Sequence, residues 1–595
     1  MTDYRPPVDD ILFSLKVAGY DRLAELEQYA HADLETVGSL IEEAGAFMAE
    51  VVAPTNREGD VVGSTYQGDG VVVTPPSFKP AYDKLMASGW LSPSFPSQYG
   101  GGDFPQTVGS AIQELVQSSN MAFSLGPLLT HGFADAFLAY ASDELKDLYL
   151  PRMISGEWMG TMNLTEPQAG TDVGALTTKA VPNDDGSWSI TGGKIFITWG
   201  EHDLTPNIIH MVLARIDGAP AGTRGISLFV VPKFLVNDDG SLGARNEVRC
   251  VSIEHKMGIH ASPTCTLAFG DDKGAVAYLV GEPNRGLEYM FIMMNAARLA
   301  VGLEGYSVAE RAYQRAVDWA RARVQGKPPV AAAEGPATII HHPDVKRMLL
   351  TMKSSIEAMR ALAMYAAFQL DIAQHDGDDA ARAKAQARAD LLIPIVKGWC
   401  TEHGNDVTHL GIQIHGGMGF IEETGAAQYA RDVRITTIYE GTTGIQANDL
   451  IGRKIGRDGG AVLGALLADV TSELNGLQVS NALAQATKTA ALEGVAVLSD
   501  AAQSLGKALQ TAPAQAQAVA VPFLKLCGFV LGGWLMARSA SIAATKLSGG
   551  DKAFYDAKLH SARFYAEQVL PAALGLARVV KSGAASVTET DAALI

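Results

Sequence analysis

Cysteine is scarce in this chain of 595 residues. Only Cys250, Cys265, Cys400 and Cys527 occur, and no two of them form a CxxC pair. A disulfide framework or a zinc ribbon requires cysteines that are more numerous or more closely spaced, so the sequence disfavours both. We expect four reduced, buried thiols, as in a cytoplasmic protein.

Positive charge and long apolar runs are also in short supply. The formal net charge is −18 and the pI is near 5.2, which disfavours non-specific binding to nucleic acid. The opening "MTDYRPPVDDILFSL" has no basic region before an apolar core, so no signal peptide is predicted. The most apolar later stretch, residues 527–537, is shorter than the ~18–20 residues that a membrane span needs. We therefore expect no membrane span and a cytoplasmic location.

The length and composition predict several packed domains. Domains of roughly 100–200 residues suggest three or four structural units. Hydrophobic residues make up 47% and charged residues 19%, which predicts large buried cores and no extensive disorder.

The character of the sequence changes along the chain. Helical spacing of apolar residues dominates up to about residue 159, followed by short β-branched runs to about residue 281 that predict antiparallel strands. Helical patterns return from residue 285, with a predicted surface loop at residues 325–337 and a break at residues 456–460. The order of helices, strands and helices indicates separate domains rather than alternating βαβ units.

Several short motifs suggest a binding site, although each has an ordinary structural explanation. "MNLTEPQAGTDVGAL" (residues 162–176) could present backbone N–H groups and two threonine hydroxyls, or could be a polar loop. "GGKIFITWG" places Thr198 between two aromatic residues, which suits a flat heterocycle, but a strand with core aromatics is equally compatible. "GIQIHGGMGF" is glycine-rich without matching a known phosphate-binding motif.

Two other features are weak evidence for a functional site when each is taken alone. His341 and His342 are adjacent, so they do not share a helix face, and no carboxylate or cysteine cluster accompanies them; we expect no metal site. Glu440 in "IYEGTTGIQ" would ordinarily be a solvated acid at a turn.

Taken together and in order, the motifs point to a family. "TEPQAGTD", "FITWG", "QIHGGMGF", "RD" and "IYEGTTGIQ" resemble the acyl-CoA dehydrogenases, with Thr198 lying 33 residues after Thr165. The resemblance covers about residues 37–454. The opening segment and the helical tail resemble the long bacterial subfamily, which includes 3-methylthiopropanoyl-CoA and broad-range fatty acyl-CoA dehydrogenases.

This resemblance implies a multidomain α+β fold with an extra C-terminal helical domain. The expected parts are an N-terminal extension, a helical domain, a middle antiparallel β domain, a four-helix-bundle domain and a C-terminal helical domain. Their expected boundaries are residues 1–36, 37–158, 159–281, 282–456 and 461–595. It also implies a homodimer or homotetramer.

The resemblance further implies FAD as cofactor and an acyl-CoA as substrate. Glu440 matches the catalytic base. The positions that match FAD contacts are Met162, Asn163, Leu164, Thr165, Gly170, Thr171, Phe196, Ile197, Thr198, Arg323, Gln325, Gln413, Gly416, Gly417, Thr442 and Gly444. The positions that match substrate contacts are Thr171, Asn295, Arg298 and Gly441.

The chain departs from the family pattern at several of these places. Phe196 stands where Trp is common, His342-Pro343 where His-Gln is common, and Gly444 where Gln is common. The insertion around residues 328–337 interrupts the second helical domain. These departures affect individual FAD contacts, mainly those expected with a neighbouring subunit, more than the assignment of the base.

The implied reaction is α,β-dehydrogenation of an acyl-CoA to the trans-2-enoyl-CoA. Glu440 would take the α-proton, flavin N5 would take the β-hydride, and an electron-transferring flavoprotein would receive the electrons. No amino-acid side chain accepts hydride, so the reaction requires a cofactor. Burial would raise the pKa of Glu440, and its backbone N–H together with a ribityl hydroxyl would bind the thioester oxygen. Gly441, lacking a Cβ, would allow the thioester to approach closely.

Three alternatives remain open from the sequence. One is an acyl-CoA oxidase that uses O₂. Another is a non-catalytic, nucleic-acid-binding relative, although this would require a basic C-terminal face and the tail is roughly charge-balanced. The third interpretation, which we take as the default for residues 461–595, makes the tail a purely structural module that stabilises an oligomer, because its Ala/Leu/Val stripes are more typical of a core than of a ligand site. The acyl chain of the substrate is not specified by the motifs.

Overall fold

A computed structural model describes residues 4–329, 337–549 and 551–595. Helices dominate at both ends of the chain, and one large sheet lies between residues 158 and 280. The expected fold class, with a helical part, a β part, a helical bundle and a helical tail in that order, is confirmed.

The first part contains seven helices. They are α1 (Val8–Ala18), α2 (Leu34–Phe47), α3 (Thr55–Val62), α4 (Phe78–Ser88), α5 (Gln106–Ser119), α6 (Met121–Tyr140) and α7 (Asp143–Ser155). α2 begins where the Asp33 carboxylate accepts a hydrogen bond of 2.8 Å from the Thr36 N–H, which satisfies one of the free donors at a helix start.

A short hairpin in this part was not predicted. It pairs β1 (Thr65–Gly68) with β2 (Val71–Val73). Its turn is formed by Asp69 and Gly70, which have φ of 50° and 80°. Asp-Gly between β-branched residues is a recognised hairpin signal, so the local sequence contained the information.

The central sheet has eight strands, and a separate two-stranded ladder accompanies it. The strands of this region are β3 (Trp158–Asn163), β4 (Lys179–Pro182), β5 (Trp188–Thr198), β6 (Asn207–Ile216), β7 (Ile226–Pro232), β8 (Phe234–Val236), β9 (Leu242–Arg245), β10 (Val248–Ile253), β11 (Thr264–Phe269) and β12 (Ala275–Val280). The main sheet follows the order β10-β11-β5-β12-β7-β6-β3, and β4 pairs with β5 and β6.

The strands are mostly antiparallel, as expected, but β6 pairs in parallel with both β3 and β4. Parallel neighbours require a long crossover connection. Here the chain between β3 and β6 is long enough to contain two further strands.

The next part is a bundle of four long helices. It consists of α8 (Gly286–Ala322), α9 (Pro343–His375), α10 (Asp379–Ile395) and α11 (Thr401–His415), followed by the short helices α12 (Ala426–Val433) and α13 (Thr443–Asp449). α8 packs against α9 and α11, and α9 packs against α10. The predicted loop after α8 begins as a bridge, in which the Gln325 N–H donates to the Ala337 carbonyl at 3.0 Å. Residues 330–336 of that loop lie outside the described part of the chain.

The tail consists of further helices: α14 (Ala461–Gly476), α15 (Ala482–Thr511), α16 (Pro513–Ala518), α17 (Ala520–Lys546), α18 (Lys552–Phe564), α19 (Ala572–Ser582) and α20 (Ala585–Thr588). α17 is long and apolar enough to cross a membrane by length and composition, but 83% of its most apolar window is buried inside the protein. It packs against α15, α18, α19 and α9, as the core helix of a helical domain does.

A buried ion cluster ties both ends of the chain to the bundle. The Lys558 ammonium group pairs with Asp10 of α1, and with Glu357 of α9 at 3.0 Å. Its side chain also lies against the Phe13 and Phe554 rings. Burial alone would raise the pKa of Asp10, but the charge of Lys558 outweighs it and the pKa is lowered, so the Asp10 carboxylate is ionised at neutral pH.

Lys558→Met should destabilise the protein while preserving most of the packing between the two rings. The substitution leaves the Asp10 carboxylate without its cation, and breaking a largely buried pair costs about 2–3 kcal/mol after allowance for partial exposure. The measurement is the midpoint of thermal unfolding, with Lys552→Met on the exposed start of the same helix as the control. Equal midpoints for the two variants would contradict a stabilising role for the cluster.

Candidate active site

The predicted loop at residues 162–171 lies against the end of β5. β3 ends at Asn163, and the Thr165 carbonyl accepts a hydrogen bond of 2.9 Å from the Ile195 N–H. The structure therefore brings Met162, Asn163, Leu164 and Thr165 beside Phe196, Ile197 and Thr198. Gly170 and Thr171, farther along the loop, are exposed.

A buried carboxylate holds this loop in place. Glu166 accepts hydrogen bonds from the backbone and hydroxyl groups of Thr177 and Thr178, and it pairs with the Lys194 ammonium group at 2.8 Å. Lys194 also donates to the Leu164 carbonyl at 3.1 Å. Because Lys194 lies in β5, one buried ion pair fastens the loop to the strand that carries Thr198.

The end of β5 presents an unusual surface. Phe196 has φ of 59°, and the ladder with β11 shifts register between Lys194 and Ile197, as at a β-bulge. As a result the Phe196 ring is 58% exposed, whereas Ile197 and Trp199 are buried. Among the described residues, neither the Thr165 nor the Thr198 hydroxyl has a hydrogen-bond partner. An exposed aromatic ring between two free hydroxyl groups fits a flat ligand with polar edges.

Glu440 lies in a tight loop between α12 and α13. Glu440 and Gly441 have consecutive left-handed conformations, with φ of 55° and 86°. The Lys397 ammonium group donates to the Gly441 carbonyl at 2.6 Å, and the Gln446 amide donates to the Glu440 carbonyl at 3.0 Å. Thr442 caps α13 by accepting a hydrogen bond of 3.3 Å from the Ile445 N–H. These bonds stabilise a backbone conformation that a glutamate rarely adopts.

The backbone N–H of Glu440 remains available. It donates to no acceptor within the described residues, whereas the preceding N–H groups of Ile438 and Tyr439 both donate to the Ile435 carbonyl. A side chain at position 441 would place its Cβ 2.8 Å from the Gln446 amide nitrogen, so glycine is required there on steric as well as conformational grounds.

Charges around Glu440 adjust its proton affinity. Burial raises the pKa of Glu440 to about 7, although the positive charges of Arg298 and Lys397 act in the opposite direction. Arg298 is 4% exposed and pairs with Asp449 at 3.2 Å. Burial lowers the pKa of Lys397 to about 8. The carboxyl group can therefore exchange a proton near neutral pH.

A second buried acid lies behind the loop. The Tyr439 hydroxyl donates to the Glu304 carboxyl group, and the other oxygen of Glu304 has no partner among the described residues. Burial raises the pKa of Glu304 to about 8, so this carboxyl is mostly neutral at pH 7. The bond fixes the aromatic residue that immediately precedes Glu440.

The sequence analysis did not identify Glu304, Lys397, Tyr439, Gln446 or Asp449. A signal was present for the first two. "LAVGLEGYSV" and "LLIPIVKGWC" each contain one charged residue within an apolar helical run. Charged side chains are seldom fully buried unless paired or functional, so such positions are reasonable candidates for a buried site.

The remaining predicted positions fall into two groups. Asn295 lies one turn before Arg298 on α8 and accepts a hydrogen bond from it at 3.4 Å; Gly444 lies in the first turn of α13. In contrast, Arg323, Gln325, Gln413, Gly416 and Gly417 are exposed at the other end of the bundle. The Trp319 and His415 rings stack with centroids 5.1 Å apart and hold the ends of α8 and α11 together there.

These two ends of α8 are far apart. Arg298 and Arg323 are separated by about 37 Å along the helix axis, at 1.5 Å per residue. A ligand beside Glu440 and one beside Arg323 therefore occupy different places on one chain.

Within residues 4–329, 337–549 and 551–595, no group of three or more His, Cys, Asp or Glu side chains could hold a metal ion.

Comparison with family models accounts for most of the chain. Residues 35–157, 161–271 and 284–455 match the N-terminal, middle and C-terminal domains of acyl-CoA dehydrogenase. Residues 466–591 match the model described as acetyl-CoA dehydrogenase C-terminal like.

Named relatives match over nearly the full length. The chain is 47% identical to 3-methylmercaptopropionyl-CoA dehydrogenase of Ruegeria pomeroyi, covering 95% of this chain and 96% of the relative. It is 35% identical to the broad-specificity linear acyl-CoA dehydrogenase FadE5 of Mycobacterium tuberculosis, with 100% of both covered. Among solved structures, an acyl-CoA dehydrogenase of Bacillus anthracis complexed with FAD has the same fold, with a TM-score of 0.70 at 20% identity and coverage of 95% of this chain and 90% of that one.

The identity of 47% over nearly the full length agrees with the order of the four matched domains. The resemblance seen in the sequence motifs is confirmed. The chain belongs to the acyl-CoA dehydrogenase family of enzymes.

Proposed function

We propose that this enzyme removes the α and β hydrogens of an acyl-CoA, with Glu440 as the base that takes the α-proton. The observation that carries the proposal is the Glu440 loop. It combines a carboxyl group whose pKa is raised to about 7 with a backbone N–H that has no acceptor among the described residues. One group suits proton abstraction, and the other suits stabilisation of the negative charge that develops on the thioester oxygen.

FAD fits the residues that the structure presents. The exposed Phe196 ring and the free hydroxyl groups of Thr165 and Thr198 suit the face and edges of an isoalloxazine ring. Met162, Asn163, Leu164, Gly170, Thr171 and Ile197 would complete this wall. When bound, FAD supplies the acceptor for the β-hydrogen, which leaves with its electron pair.

The residues near Glu440 have complementary roles. Arg298 and Lys397 favour the ionised carboxylate before the reaction, which keeps the half-buried base competent. The Lys397 and Gln446 side chains hold the two carbonyl groups of the loop, and the Glu440 N–H, which has no acceptor among the described residues, would donate to the thioester oxygen. Thr171, Asn295 and Gly441 would lie along the acyl-CoA.

The distant group of residues suits a neighbouring subunit. The exposed residues Arg323, Gln325, Gln413, Gly416 and Gly417 lie at the opposite end of the bundle from Arg298, about 37 Å along the helix axis of α8. An exposed apolar patch, formed by Met418, Phe420 and Ile421, accompanies them. Such patches favour protein contacts. We propose a homodimer or homotetramer in which these residues contact the FAD of the partner subunit. Thr442 and Gly444, which belong to the Glu440 loop, would contact the FAD beside Glu440.

The substrate class follows from the relatives rather than from the loop. We propose 3-methylthiopropanoyl-CoA or a short linear fatty acyl-CoA, because one relative is named 3-methylmercaptopropionyl-CoA dehydrogenase and another, of Syntrophomonas wolfei and 35% identical over 97% of both chains, is named butyryl-CoA dehydrogenase. Electrons would pass to an electron-transferring flavoprotein, as the family resemblance implies.

Replacement of Glu440 by Gln should remove the base while preserving the loop. The amide has nearly the same shape, so we expect normal folding and retention of FAD, judged from the visible spectrum. The turnover number should fall by at least about 10²–10⁴-fold, which is the usual contribution of a general base. Glu493→Gln, an exposed carboxyl on α15 outside the site, is the control; activity of Glu440→Gln close to that control would contradict the proposal.

The pH dependence of kcat/KM should report the pKa of Glu440. The carboxyl group acts only when ionised, and with a pKa of about 7 roughly one tenth is ionised at pH 6, so kcat/KM should rise through pH 7 to a plateau. Lys397→Met removes a positive charge that lowers this pKa, and the rise should move to higher pH. Lys454→Met, outside the loop, should leave the profile unchanged. A profile in which activity falls with pH across this range would contradict the assignment.

Anaerobic titration with a series of acyl-CoAs tests the substrate. The loss of flavin absorbance should be fastest with 3-methylthiopropanoyl-CoA or short linear acyl-CoAs, and slower as the chain lengthens. The Glu440→Gln variant provides the matched blank for each compound. Equal or faster bleaching by long-chain acyl-CoAs would overturn the proposed substrate class without affecting the role of Glu440.

A further inference from the structure

A cavity of about 600 Å³ lies where the N-terminal segment, the bundle and the tail meet. Its walls come from the end of α1, from α9 and α10, and from α14 and α17. None of its lining residues belongs to the active site described above. The volume falls within the range of small-molecule sites in proteins.

The cavity is rich in positive charge. Lys16, Arg22, Lys384, Arg388 and Arg538 line it, whereas only two carboxylates do. This local excess is unexpected in a chain with a net charge of −18. It suggests an anionic ligand, since like charges gathered around a cavity repel one another unless they are neutralised.

The carboxylates at the cavity are shared or already engaged. Asp469 pairs through a single oxygen with both Lys384, at 2.8 Å, and Arg388. Glu473 is bound by the Arg538 guanidinium group at 2.5 and 2.6 Å. Lys16 forms no ion pair with any described residue. Arg22 pairs with Asp376, which does not line the cavity. The positive charge that remains for a ligand is therefore that of Lys16 and of Lys384 and Arg388, which share one carboxylate.

A buried amide faces the same space. Gln369 lines the cavity and is only 5% exposed, yet its side chain has no hydrogen-bond partner among the described residues. Buried polar side chains are nearly always satisfied, by protein, water or ligand. The amide atoms of Gln369 are not among the fully enclosed polar atoms, so they reach the open space of the cavity and are available to a polar group of a ligand there.

The rest of the wall is apolar and does not suit a stacked base. Phe368, Ile372, Leu466, Val470 and Trp534 contribute hydrophobic surface. However, Arg538 lies 4.7 Å from the Trp534 ring centroid, and the Tyr365 ring contacts Trp534 edge-on at 5.0 Å. Trp534 is 2% exposed. With its face covered, the aromatic wall favours a compact apolar body over a nucleobase.

We propose that this cavity binds an organic anion, a carboxylate or phosphate head group joined to a compact apolar body. Lys384 and Arg388 would hold the head group, Gln369 would donate to it, and the apolar body would lie against Phe368 and Leu466. Because the cavity joins three parts of the chain, the ligand adds contacts between them. It should therefore raise the temperature of unfolding.

The test uses the full-length, FAD-loaded enzyme and four probes: octanoate, octyl phosphate, 1-octanol and inorganic phosphate. Isothermal titration calorimetry and thermal unfolding should detect octanoate, octyl phosphate or both. The alcohol lacks the charge and inorganic phosphate lacks the apolar body, so each should bind at least tenfold more weakly. The tighter of the two amphipathic anions identifies the head group. Absence of binding by both, or equal binding by 1-octanol, would overturn the proposal.

Variants locate the bound probe. Lys384→Gln removes an exposed cation and should weaken binding about tenfold, the loss expected for one charge-assisted hydrogen bond. Lys507→Gln, an exposed lysine on α15 away from the cavity, should have no effect. Gln369→Leu should weaken binding without lowering the unfolding temperature of the ligand-free enzyme, because the amide has no partner to lose.

Binding in the acyl pocket must be distinguished from binding in this cavity. Titrations are therefore repeated with saturating crotonyl-CoA, a short 2-enoyl thioester that would occupy the active site. Binding that persists with crotonyl-CoA and is weakened by Lys384→Gln supports the proposal. Binding that is abolished by crotonyl-CoA and unaffected by Lys384→Gln would place the anion in the active site and overturn it.

Discussion

The active site depends on a backbone conformation that the chain does not adopt easily. Glu440 and Gly441 both have positive φ, and for a glutamate this costs about 1–3 kcal/mol unless the surroundings compensate. Compensation comes from side chains on other elements: Lys397 binds the Gly441 carbonyl, and Gln446 binds the Glu440 carbonyl. The left-handed turn leaves the Glu440 N–H without an internal acceptor. The strain thus has a consequence for chemistry, because it prepares a donor in advance of the substrate.

The charges around the loop also prepare the site for chemistry, because they set the pKa of Glu440. A carboxylate buried alone would hold its proton too strongly to act near neutral pH, whereas an exposed one would be too weak a base. Burial raises the pKa of Glu440 and two cations restrain the rise, so the value of about 7 is a balance between opposing effects. The neutral Glu304 carboxyl behind Tyr439 adds a hydrogen-bond acceptor without adding a full negative charge. A second ionised carboxylate there would have raised the pKa of Glu440 further.

Much of the architecture could be predicted from the sequence, but the side chains that hold the Glu440 loop in place could not. Alternation of apolar residues identified the strands near Thr198, and ordered motifs identified Glu440 as the base to propose. Lys397 and Glu304 each stand out locally as a single charge in an apolar helical run, but their partners lie 44 and 135 positions away along the chain, so no local pattern assigns them to the Glu440 loop. The parallel pairing of β6 with β3 was missed for the same reason, since alternation predicts a strand and not its neighbours. The Asp69-Gly70 hairpin was different, because its signal is local and was overlooked.

The arrangement of the tail suggests why this chain is longer than the three domains that surround the reaction. α17 packs on α9 of the bundle, and Lys558 of α18 reaches Asp10 of α1, so the two ends of the chain close over the outer side of the bundle. A purely structural cover would be expected to fill the space beneath it with apolar side chains, since unfilled volume and unpaired polar groups both reduce stability. Here the junction instead retains about 600 Å³, an excess of cations and an amide without a partner. Because this space is open to solvent, water can fill it and can satisfy the amide; the cations gathered around it are better explained by an anionic ligand than by imperfect packing.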